Sequence, residues 1–204
     1  MKKQIKDIRL YESDWANVDG QPHPGDFGRL FANNFNSNFL RIGYQFALKL
    51  REFDFRFKDF DHLYINLTTE LSDGVVQVSE RSVDNYHSWF RYVDYGLNKQ
   101  KYEAYSEDEI NQRSVDIISN CLKELVTDAN EHDVINKVSS LILQRQENLE
   151  IKYKEKVDKE NKVQLFVSIF NTLEIETSLV YSVNGNGKRV KLDIDNLVEP
   201  MSSN

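Results

Sequence analysis

From Leu40 the chain alternates: Leu40, Ile42, Tyr44, Phe46, Leu48 and Leu50 are apolar, while Arg41, Gln45, Lys49 and Arg51 are polar. A period of two predicts a long strand, with a helix through Phe39, Ile42, Phe46 and Leu50 as the alternative. Before it, Lys6 to Tyr11 reads as a first strand, and Asp19-Gly20 and Pro22-His23-Pro24-Gly25 as turns. After it, the apolar phase moves to Phe53, Phe55 and Phe57, which requires a bend near Glu52. Leu63, Ile65 and Leu67 start another strand, and Ser72-Asp73-Gly74 turns the chain into Val75 to Ser79 as its hairpin partner. Trp89 to Tyr95 is aromatic on both faces, as a strand in the sheet interior or one with a covered outer face would be.

The period then changes. Ser106-Glu107-Asp108-Glu109 is a capping-box pattern, and Ile110, Ile117, Ile118, Cys121, Leu122, Leu125 and Val126 form one helical stripe behind it. A second helix is expected after Asp133, burying Val134, Ile135, Val138, Leu141 and Ile142, with the helical pair packed on the sheet. Period two returns in Leu149, Ile151 and Tyr153, in Val163 to Ile169, and in Leu173 to Val183. Asp158 to Asn161 and Asn184-Gly185-Asn186-Gly187 are the connecting turns, the latter leading into Val190, Leu192 and Ile194. The expectation is a single α+β domain over residues 1–198, with a largely antiparallel sheet of seven to nine strands, and a disordered tail over 199–204.

Composition narrows the class. With 204 residues, three prolines and eight glycines, the chain can bury one sizeable core and has little room for a linker. Cys121 is the only cysteine, so no intramolecular disulfide forms, and a reducing compartment is favoured. No apolar h-region follows Met1-Lys2-Lys3, and no run approaches the roughly 20 apolar residues of a membrane helix. A cytoplasmic protein without membrane contact is expected.

Charge changes the picture more. Residues 103–133 carry nine acids against Arg113 and Lys123, a balance of −7 that equals the net charge of the whole chain. Some of this is explained by helix N-termini, where unpaired N–H groups favour carboxylates. The sharper reading is an acidic surface offered to a basic partner. Its contact residues would be Glu107, Asp108, Glu109, Asp128 and Glu131, with Tyr102 and Tyr105 as aromatic anchors or as packing under the helix start.

Catalytic chemistry is sparse. Asp59-Phe60-Asp61-His62 is the densest set of ligand-type side chains, and a metal-assisted hydrolase built on Asp59, Asp61 and His62 is the enzymatic alternative. His62 would point away from the two aspartates on a strand, and no metal or other cofactor is expected. His23 and His132 read as loop residues, and His87 near Asp84 has no identifiable nucleophile. Cys121 lies on an apolar stripe as a core thiol. Lys152, Lys154, Lys156, Lys159 and Lys162 interleave with Glu155, Asp158 and Glu160, which cancels most of the field and speaks against direct nucleic-acid binding. A structural or assembly component, such as a phage-type protein, is supported only by the β-rich composition.

The segments DHLYINLT and WFRYVDYGL and the acidic helix resemble immunity proteins encoded beside bacterial polymorphic toxins, over Asp61 to Asp133. The resemblance implies a small cytosolic α+β protein that neutralises a toxin or nuclease domain. It assigns no functional residue.

Overall fold

The computed structural model describes residues 2–17, 35–79, 89–158, 161–170, 175–183 and 186–192. The expected turns at Asp19 to Gly25, the His23, Asp84 and His87 positions, and the 199–204 tail lie outside the described residues. The chain forms two compact units, Met1–Gln146 and Glu147–Asn204.

In the first unit, β1 (Lys3–Gln4) pairs with β3 (Arg56–Phe57). A four-stranded sheet runs in the order β2 (Asp7–Ser13), β4 (His62–Thr68), β6 (Phe90–Gly96), β5 (Val76–Val78). Both β2 and β6 pair parallel to β4, and only β5 is antiparallel. The helices are α1 (Phe35–Glu52), α2 (Lys99–Glu103), α3 (Glu107–Glu124) and α4 (Ala129–Arg145). The α+β class therefore holds, but one large antiparallel sheet does not.

The cause is α1. The Leu40–Leu50 segment is helical, not a strand, and a helix between β2 and β4 is the crossover that parallel pairing requires. The 3.6-residue stripe describes the buried face: Phe39, Ile42, Phe46 and Leu50 are at most 1% exposed. The polar positions that simulated a solvent face, Arg41, Gln45 and Lys49, are buried as well. They lie one turn apart along a helix that packs on β2, α3 and α4. Arg41 donates to Asn111 (3.2 Å), Gln45 donates to the Gln146 carbonyl (3.0 Å), and Lys49 pairs with Glu52 (2.7 Å). Gly43 permits the close approach to β2, since a Cβ there would stand 2.6 Å from the Ile8 carbonyl oxygen.

The bend after α1 is present. Asp54 takes φ 53°, and Phe55 N–H returns to the Leu50 carbonyl at 2.9 Å. Behind the bend Phe55 meets Phe57 edge-to-face at 5.1 Å between centroids, and Phe57 stacks on Phe60 at 4.3 Å. Leu63, Ile65 and Leu67 are fully buried, and so are Asn66 and Thr68 on the opposite face, as a strand inside a parallel sheet should be. Val75 to Ser79 does not form a hairpin with β4, because β6 lies between β4 and β5. That makes β6 the interior strand its aromatic pattern suggested.

The capping box stands as expected: Ser106 accepts from Glu109 N–H, and Glu109 accepts from Ser106 N–H. The second helix starts at Ala129, four residues before the predicted point, because Asp128 caps it. α3 reaches strands β5 and β6, and α4 packs on α1 and α3. Among the described residues no helix is long and apolar enough to cross a membrane.

The second unit is an antiparallel meander, β10 (Asn186–Leu192), β9 (Ile175–Val183), β8 (Asn161–Ile169), β7 (Ile151–Asp158) in spatial order. The β7–β8 and β9–β10 pairs are the two the sequence pattern expected, and the β8–β9 pair completes the meander. β7 carries a bulge between Lys152 and Lys154.

Candidate functional site

The seven residues proposed from the sequence do not form one patch. Glu107, Asp108 and Glu109 open α3, and Asp128 and Glu131 lie beyond its other end. An 18-residue helix separates them by about 25 Å. At physiological salt the Debye length is about 8 Å, so the two groups do not act as one field.

At the N-terminal end, Glu109 is occupied by the capping box, and the Ser106 hydroxyl and N–H hold its carboxyl below the usual range. Asp108 is exposed, and the Glu107 side chain lies outside the described ones. Tyr102 is 4% exposed, which is the packing alternative. Tyr105 accepts from Arg113 Nη2 at 3.1 Å, with the guanidinium 5.5 Å from the ring centroid.

At the other end, the α3–α4 turn gathers Glu124, Asp128, Glu131 and Asp133. Asp128 accepts from Asn130 N–H at 2.8 Å as the α4 cap, and Glu131 pairs with Lys2 at 2.9 Å. Glu124, Asp128 and Asp133 are exposed. Glu124 and Asp133 have no ion pair among the described residues. His132 lies in α4 and not in the loop expected from the sequence, and its Nε2 is 3.1 Å from the Val126 carbonyl of the same turn.

The residues of the hydrolase alternative take separate partners. Asp59 pairs with Arg91 (2.7 Å), while Asp61 contacts Lys6 (2.7 Å) and His62 Nδ1 (2.6 Å) through different oxygens. Burial pushes the Asp61 carboxyl up, but hydrogen bonds and charge from Lys6 and His62 outweigh it and leave the carboxyl below its ordinary value of 3.8. A depressed carboxyl stabilises the fold above its unfolded pKa and loses that contribution as pH falls through its folded one. Asp61→Asn is therefore expected to be less stable than the wild type at pH 7. The gap should close below about pH 4, as read by urea unfolding at each pH; a constant gap would contradict the ion-pair account.

Among the described residues no three His, Cys, Asp or Glu side chains converge as metal ligands. The Cys121 thiol is fully buried, and burial pushes its pKa up.

A polar cluster that sequence reading missed lies under the parallel sheet. Asp94 on β6 is fully buried and accepts Asn17 N–H (3.0 Å), Asn17 Nδ2 (2.9 Å) and Asn66 Nδ2 (2.7 Å). Asn66 also donates to the Trp15 carbonyl (3.0 Å), and Ser79 Oγ donates to the Asn17 carbonyl (2.6 Å). Burial raises the Asp94 carboxyl despite these bonds. Its acceptors are spent on holding the segment after β2 against the sheet, which is a clasp and not an open site. The available signal was a lone Asn and a lone Asp inside apolar strands, where buried polar groups require partners.

No protein-family model, curated protein or solved structure matches this chain.

Proposed function

We propose that the chain is a binding protein that neutralises or regulates a basic protein partner, as the immunity proteins it resembles do, and that the α3–α4 corner is its contact surface. One observation carries this reading: Glu124, Asp128 and Asp133 stand exposed about the α3–α4 connection, none of the three in an ion pair among the described residues. Uncompensated exposed charge of one sign steers a partner of opposite sign, at a benefit that salt removes. The engagement of Asp59, Asp61, His62 and Asp94 with groups of this same chain supports binding over catalysis. The Glu107 to Glu109 end is the lesser candidate, because its glutamate cap is already used.

Carbodiimide coupling of the whole chain to its partner, followed by peptide mapping, tests the surface. The expected links join partner lysines to Glu124, Asp128, Glu131 or Asp133. Links concentrated on Glu107 to Glu109, or on carboxylates of the other unit, would overturn the assignment.

A further inference from the structure

The strand register of the second unit sorts charges that alternate in sequence. Lys154 lies opposite Leu165, and Lys156 opposite Val163; Glu155 lies opposite Gln164. Cross-strand partners share a face, and neighbours along a strand do not. Lys154 and Lys156 therefore share a face with Val163 and Leu165, while Glu155 is on the other, where it meets Lys162 (3.1 Å) and Gln164. Through β9, Val163 aligns with Tyr181 and Lys188, and Leu165 with Leu179 and Val190. Lys154, Lys156 and Lys188 are exposed and have no ion pair among the described residues. Val163 and Val190 are 38% and 37% exposed.

The result is a face on which Val163 and Leu165 of the inner strand β8 and Val190 of the edge strand β10 lie among Lys154 and Lys156 of β7 and Lys188 of β10, apolar side chains rimmed by charge as on a recognition surface. The rows lie three strand spacings apart, about 14 Å, and a helix with its side chains is about 10–12 Å across. We propose that this face binds an amphipathic helix of a partner protein, its apolar stripe on Val163, Leu165 and Val190 and flanking acids on the three lysines. A second copy is disfavoured: face-to-face pairing opposes lysine to lysine, and the described large exposed apolar residues lie on strands or beside them, not on helices. Exposed valines offer nothing to a phosphate backbone, which disfavours nucleic acid. The proposal rests on register, exposure and charge within the second unit and is independent of the α3–α4 corner.

The test uses the whole chain and a fluorescein-labelled helical peptide of about five turns, with leucines on one stripe and glutamates on its flanks, read by anisotropy. Binding should weaken roughly tenfold between about 50 mM and 300 mM salt. The K154E/K156E/K188E variant should lose at least roughly tenfold, and V163S/V190S several-fold, with unchanged circular dichroism. Three results would each overturn the proposal: no binding, equal binding of a peptide with lysine for glutamate, or indifference to the triple variant. Tighter binding of phosphatidylserine vesicles or of oligo-dT, insensitive to V163S/V190S, would overturn it in favour of a lipid or nucleic-acid surface.

Discussion

Asp94→Ala is expected to lower the unfolding free energy by about 4 kcal/mol. The substitution leaves three buried N–H donors, from the Asn17 backbone and the Asn17 and Asn66 amides, without their acceptor, at roughly 1–3 kcal/mol each before relaxation. Losing the clasp should also free Trp15 to Asn17 from β4 and β6, so their amides should exchange faster than those of β2. Asp94→Asn keeps one acceptor oxygen and should cost about half as much. Charge adds a second signature. A raised carboxyl contributes stability below its unfolded pKa and loses it as pH rises through its folded value, the opposite sign to Asp61. The wild type should therefore gain relative to Asp94→Asn as pH falls from neutral toward about 4. Equal stability of Asp94→Ala and the wild type in urea would show that the cluster holds nothing.

Gly43→Ala is expected to destabilise by about 2 kcal/mol, against the trend for an exposed helix. Intrinsic propensity favours alanine by about 1 kcal/mol, so a helix that is merely surface-bound would gain. Here the added methyl meets a backbone carbonyl at 2.6 Å, which no rotamer change relieves. Either α1 lifts from β2 or the strand bends, and overpacking of this kind costs about 1–3 kcal/mol. Thermal unfolding decides between the two, since a rise in Tm would mean that α1 does not sit on β2 as described.

Gly43 also marks where sequence reading was least able to see the fold. The capping box, the α3 stripe and the β7–β8 and β9–β10 hairpins of the second unit were legible because each rests on local chemistry: a serine three residues before a glutamate, a 3.6-residue stripe, a turn sequence between alternating runs. α1 was legible only as the alternative stripe through Phe39, Ile42, Phe46 and Leu50, because its polar positions Arg41, Gln45 and Lys49 are buried too. Arg41, Gln45 and Lys49 are polar for the sake of Asn111, the Gln146 carbonyl and Glu52, and these contacts are set by tertiary packing. Reading them as solvent-facing produced the alternation of a strand, and with it the antiparallel sheet. With α1 taken as a strand, the β2–α1–β4 crossover and the parallel pairing of β2 and β6 with β4 had no signal in the sequence.

The candidate surfaces were legible to different degrees. The excess of acid in residues 103–133 was plain by counting, but its division into two ends of α3 depends on helix length. The lysines of β7 appeared self-cancelling in sequence. Strand alternation puts Lys154 and Glu155 on opposite faces, and cross-strand register shows which residues of β8 share each face.

The central claim is that the α3–α4 corner steers and holds a basic protein partner. It is tested most directly by stopped-flow association of that partner with the wild type and with the E124K/D133K variant, at about 50 mM and 300 mM salt. The account predicts association roughly tenfold slower for the variant at low salt, a much smaller difference at high salt, and a flatter salt dependence. Equal rates for the two proteins at low salt would contradict it.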